Sequence, residues 1–227
     1  MSQAAVVTRL ALFELWISFR LLILLAAYVA AGAIVALLPV PLRPTLERLA
    51  AGIALATLVG GVIAAGSMSA ERTLGRAGWL VTRAVSRGTI ILGWFAALAA
   101  VSLAGLVAAA VLGWLAVAQA VPRPDPAAFA AMLAGAAAGS LAFLAIGLLL
   151  GVMLPVGRAA LGAAAAGVVI GMVGWATAPA AMPLATLSRL PELERPIATG
   201  MQGAGIGLVL AGAALVLARL ALRRVDL

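Results

Sequence analysis

Apolar residues along this chain do not alternate with polar ones at a strand period, nor mark one face of a helix. They come in uninterrupted runs near 20 residues, separated by short stretches that collect Pro and Arg. A run of that length crosses a hydrocarbon core of about 30 Å as a helix. A chain inside lipid must pair its own backbone groups, so its spans are helices or closed barrels. Continuous Ala/Leu/Val/Gly runs lack the alternation of barrel strands. The pattern predicts an all-α integral membrane protein with six transmembrane helices. The spans fall at about 21–38, 49–68, 89–118, 127–154, 159–178 and 200–218, within a single domain covering residues 1–227.

The stretch before the first span reads differently. In "TRLALFELWISFR", residues 8–20, Thr8, Ala11, Glu14 and Ser18 recur at helical spacing, while Leu12, Phe13, Trp16 and Phe19 offer apolar surface. That spacing predicts a helix lying in the membrane interface. A cleaved leader fits poorly, because Glu14 and Arg20 interrupt the run and no clear cleavage site follows. "PVPLRP", "QAVPRPDP", "PVGR" and the Pro-broken segment before residue 200 mark the turns.

Composition agrees with the pattern: 66% of the residues are hydrophobic and 10% charged, against about 25% charged in soluble domains. Mean hydropathy is +1.23. The formal net charge is +8, and all fifteen basic residues are Arg. They sit at the ends of apolar runs, so they speak for membrane orientation rather than nucleic acid. With both termini inside, ten fall on the inner side: Arg9, Arg20, Arg72, Arg76, Arg83, Arg87, Arg158, Arg219, Arg223 and Arg224. Five fall outside: Arg43, Arg48, Arg123, Arg189 and Arg195. Cytoplasmic loops are enriched in Arg and Lys, which places both termini in the cytoplasm of a cell whose inner membrane holds the chain.

What the sequence lacks narrows the chemistry. Without Cys there is no thiolate or disulfide. Without His there is no Ser–His catalysis and no usual zinc ligand. Without Lys there is no nucleotide-binding P-loop. No Asp, Glu or Arg lies in the middle of an assigned span, although ion-coupled carriers usually keep such groups at membrane depth. The chain is therefore expected to be no enzyme and to hold no cofactor or metal. Any transport would draw its energy from another subunit. Glycines four apart, such as Gly135 and Gly139, Gly147 and Gly151, Gly167 and Gly171, or Gly203 and Gly207, suit close helix packing.

The most charged connection lies between the second and third spans. Residues 69–88 hold Arg72, Arg76, Arg83 and Arg87 against the single acid Glu71. A plain cytoplasmic loop accounts for the charge; a docking surface accounts for the charge and for Trp79 beside it. Ser86 is placed to cap the third helix.

The stretch "SAERTLGRAGWLVTRAVSRGTIILGWF" resembles the signature of permease subunits of ABC type-2 exporters. Glu71 and Arg72, Gly75, Leu80, Val85, Ser86, Arg87, Ile90, Leu92 and Gly93 follow that family's order without a gap. Gly78, Ala84 and Trp94 depart from it, at positions where an acid, Pro and Lys are common. "FELWISFRLLIL" is similar to the family's leading interfacial helix, and "LRRVDL" to its basic ending. The resemblance implies a short coupling helix within residues 69–88 that docks on a separate ATP-binding cassette ATPase. The docking residues would be Glu71, Arg72, Gly75, Arg76, Trp79, Leu80, Arg83, Ser86 and Arg87. ATP and Mg would belong to that partner. Two permease chains, identical or different, would form the substrate path among membrane lipids. The alternative is a non-transporting membrane assembly or anchoring protein that recruits a cytosolic partner through the same loop.

Overall fold

The computed structural model describes residues 2–37, 42–74, 85–119, 124–176 and 195–224, with side chains to residue 169 in the fourth of these segments. The described residues form seven helices and no strand: α1 (Gln3–Ile17), α2 (Arg20–Leu37), α3 (Leu42–Thr73), α4 (Arg87–Val117), α5 (Pro126–Met153), α6 (Val156–Ala176) and α7 (Pro196–Arg224). Five of them, α2 to α5 and α7, are long and apolar enough to cross a membrane. The chain is a multi-pass helical membrane protein by length and composition of its helices. In α6, 21 residues long, the stretch Val156–Val169 forms a shorter apolar segment.

Helix ends depart from the run-based boundaries where polar residues join a helix. α3 begins at Leu42, because Pro44 falls in its first turn, where a missing N–H costs nothing. The same helix continues through Thr73, so residues 69–73, expected in the loop, belong to α3. "PVGR" is mostly helix: only Leu154 and Pro155 separate α5 from α6. α7 runs six residues past the apolar run, through Arg224. Asp125 caps α5, its carboxylate accepting from the Ala127 and Ala128 amides at 3.1 and 3.3 Å, with Pro126 at the first helical position.

The interfacial segment becomes a separate helix, α1, displaced toward the N-terminus from residues 8–20. Val7, Ala11 and Leu15 form its buried stripe, and Val7 packs on Gly93 of α4. Ala11, expected on the polar face, lies in this stripe, and Leu12 packs against the core. Leu10, Phe13, Trp16 and Phe19 face outward. The helix ends at Ser18, whose hydroxyl donates to the Glu14 carbonyl at 2.7 Å. Phe19 turns the chain with φ of 58°, a left-handed conformation uncommon outside Gly.

Side-chain pairings fix the directions of the helices. α2 and α3 are antiparallel, with Arg20 at Ser67 and Tyr28 at Thr57. α5 runs parallel to α3, and α7 parallel to α5: Gly151 lies on Ala65, Gly200 on Ala131 and Gly207 on Ala138. α2 and α4 are parallel, with Tyr28 at Gly105 and Gly32 at Ala109. The C-terminal ends of α3, α5 and α7 therefore gather with the N-terminal ends of α2, α4 and α6.

Close approach depends on missing side chains. A Cβ on Gly151 would stand 2.5 Å from the Ala65 carbonyl oxygen, and one on Gly207 2.7 Å from the Ala138 carbonyl carbon. Gly147 likewise sits against the Gly61 carbonyl. These glycines pack helices within one chain. Around them the core gathers Leu24, Leu49, Ile53, Met68, Leu98 and Leu144, each essentially inaccessible. At the far end Trp114 of α4 tilts against Phe129 of α5, ring centroids 5.2 Å apart.

Candidate functional site

Two sets of polar contacts stand out in this apolar bundle. The first surrounds the connection between α3 and α4. A helix leaves its last carbonyls without intrahelical partners, and here two helix ends receive arginine. Arg72, in the last turn of α3, donates through Nη1 to the Val152 carbonyl at the end of α5. Ser69, one turn earlier, donates to the Leu154 carbonyl at 3.0 Å. Arg87, the first residue of α4, donates through Nη1 to the Leu222 and Arg223 carbonyls of α7, at 2.7 and 3.0 Å. A cation at a helix C-terminus also meets the negative end of its dipole. Hydrogen bonds of this charged kind contribute about 1.5–3 kcal/mol each.

The two feet of the connection are thus tied to the ends of two different helices, α5 and α7, which are themselves packed together. Glu71 is buried beside Arg72. Ser86 is the N-cap of α4: its Oγ accepts from the Thr89 amide at 3.1 Å and lies 2.7 Å from the Thr89 hydroxyl. Glu71, Arg72, Ser86 and Arg87 are held by contacts within the chain. Gly75, Arg76, Trp79, Leu80 and Arg83 lie outside the described residues, as does the centre of the expected coupling helix. Among the described arginines, Arg9, Arg20, Arg72, Arg87, Arg158, Arg219, Arg223 and Arg224 belong to this end of the bundle. Arg43, Arg48 and Arg195 belong to the other, where Arg43 pairs with Glu47 at 3.1 Å.

The second set lies halfway along the helices. The Tyr28 hydroxyl of α2 donates to Ser140 Oγ of α5 at 3.2 Å. Ser140 and Thr57 of α3 are 2.7 Å apart, and Thr57 is 3.3 Å from Tyr28. With Tyr28 donating to Ser140, donation from Ser140 to Thr57 and from Thr57 to Tyr28 closes a ring. Each hydroxyl then gives one hydrogen bond and receives one. All three residues are buried, where an unpaired hydroxyl would be costly. Gly105 of α4 makes room for Tyr28: a Cβ there would be 2.9 Å from the tyrosine Cβ.

One turn from the ring, Ser102 of α4 faces Gly60 among Leu24 and Leu144. Its Oγ is the buried side-chain oxygen left without a hydrogen-bond partner among the described residues. The ring and Ser102 escape a search for ionisable groups at membrane depth. Their signal in the sequence is a hydroxyl near the middle of each of four apolar runs. Among the described residues, no group of three or more acidic side chains could hold a metal ion. No protein-family model matches the chain, and no curated protein matches its sequence.

Proposed function

We propose that this chain is the membrane-spanning permease subunit of an ATP-driven exporter, with ATP and Mg handled by a separate ATP-binding cassette ATPase. In this reading α2 to α7 are six spans, both termini are cytoplasmic, and the chain works as a dimer in the cytoplasmic membrane. The observation that supports it best is the double anchorage of the α3–α4 connection. Arg72 fastens one foot to the end of α5, and Arg87 fastens the other to the end of α7. A push on the loop between them reaches two packed transmembrane helices directly, as a device driven by a moving cytosolic partner requires.

The nine residues of the docking expectation then divide by role. Glu71, Arg72, Ser86 and Arg87 set the feet. Gly75, Arg76, Trp79, Leu80 and Arg83 form the surface offered to the ATPase, with Trp79 as its apolar anchor, a residue type enriched among interface hot spots. Span interiors that are apolar and free of charge apart from a few buried hydroxyls suit an apolar or amphipathic cargo.

The test is co-purification from the native host, followed by ATPase assays on the complex. A bound ATPase whose activity is lost with Trp79→Ala plus Arg83→Glu, while the chain stays correctly oriented in the membrane, supports the reading. A complex that forms through the same loop yet moves no substrate favours an anchoring protein. Normal association and activity in the double variant would remove the loop from docking.

A further inference from the structure

We propose that the last turns of α7 and the first turn of α4 form a binding site for the phosphate of an anionic phospholipid headgroup. Arg219 is its principal contact. The side chain lies across Gly88: a Cβ at Gly88 would stand 3.1 Å from Nε and 3.5 Å from Cζ. The missing methyl is the seat of the guanidinium group. Arg219 is nonetheless exposed, and it has no hydrogen bond or ion pair among the described residues. Arg223, one turn further on α7, is exposed as well, and its side chain has no acidic partner among those residues.

Among the described residues, the surroundings increase the positive charge rather than offset it. The first turn of α4 contains no acidic residue, and the amide end of a helix is the positive end of its dipole. Arg87 stands in that turn, its guanidinium drawn to the α7 carbonyls. Arg219 is therefore seated against a positive helix end, an arrangement that an anion between the groups relieves. The position also selects the anion. Val216, one turn before Arg219, and Leu220 beside it are 58% and 47% exposed. A ligand with a phosphate head and acyl tails satisfies the guanidinium groups and covers this apolar surface together. Inorganic phosphate satisfies only the charge.

The experiment uses full-length protein in mild detergent, titrated with phosphatidylglycerol, phosphatidylcholine or inorganic phosphate, with bound lipid counted by native mass spectrometry. Membrane orientation plays no part in that measurement. Phosphatidylglycerol should be retained over phosphatidylcholine and resist displacement by phosphate. Arg219→Gln and Arg223→Gln should each weaken its binding about fivefold, the order of effect for one basic residue at an anionic surface. Gly88→Leu should weaken it comparably with every charge still present, because the new side chain occupies the seat of Arg219. Arg158→Gln, on α6 at the same end, should leave binding unchanged. Equal losses in Arg158→Gln and Arg219→Gln would reduce the effect to diffuse charge and overturn the site. Wild-type binding in Gly88→Leu, or displacement by phosphate, would do the same.

Discussion

The middle of the bundle and its arginine-rich end solve one problem with different chemistry. Both must join helices through polar groups in an apolar surrounding. At the middle, Tyr28, Thr57 and Ser140 satisfy one another as neutral hydroxyls. At the end, Arg72 and Arg87 satisfy carbonyls that α5 and α7 leave open. Charge is expensive at the centre of a bilayer and inexpensive near its surface, while open helix carbonyls exist only at the ends. Depth therefore decides which pairing is used. The backbone contacts of Gly147 and Gly151 lie between these two regions and serve both.

Breaking the scaffold that the two regions share should have the largest effect. Gly147→Val drives a branched side chain into the Gly61 carbonyl, an overpacking of a kind that costs about 1–3 kcal/mol and occasionally more. Loss of the monodisperse folded species in size-exclusion melting curves is the expected outcome. Gly212→Ala, where nothing lies within 4 Å, should melt at or slightly above the wild-type temperature, since Ala favours a helix by up to about 1 kcal/mol over Gly.

The arginine-rich end comes next. Arg72→Leu and Arg87→Leu each remove a charged donor from helix-end carbonyls, with an expected loss of about 1.5–3 kcal/mol in reversible denaturation. Arg43→Leu, which breaks an exposed i,i+4 pair with Glu47, should cost under about 0.5 kcal/mol. Equal effects at the two ends would show that the carbonyl contacts of Arg72 and Arg87 contribute no more than a surface ion pair.

The middle should yield the smallest changes. Thr57→Val opens the hydroxyl ring at nearly constant shape and should cost about 0.6 kcal/mol, the usual size of a hydrogen bond between membrane helices. Ser102→Ala removes a hydroxyl that has no partner among the described residues, so its stability should equal or exceed that of the wild type. A loss at Ser102 larger than at Thr57 would show that the serine has a partner in the working protein.

The interfacial segment shows why some of the architecture was legible and some was not. Apolar run length located α2, α4 and α5 to within two residues and missed the polar ends of α3 and α7 by four to seven, and Ser86 announced its cap through its position before an apolar run. The facing of α1 was not readable, because a helix with apolar residues all round carries no mark of which side meets protein. Ala11 therefore passed for part of a polar face. Arg72 and Arg87 were legible as a pair of arginines flanking a loop, but not as caps on α5 and α7. Their partners are backbone carbonyls 80 and 135 residues away, and a carbonyl has no letter in a sequence.

By itself the sequence determined that the chain is helical and membrane-spanning, where most spans lie, and which arginines share an end. Those properties follow from composition and run length, which are local. Only the tertiary structure decided which glycines touch backbone, which hydroxyls close a ring, and which helix ends the arginines hold. Each of these depends on the rotation of one helix against another, and in lipid an apolar residue is equally acceptable on either face.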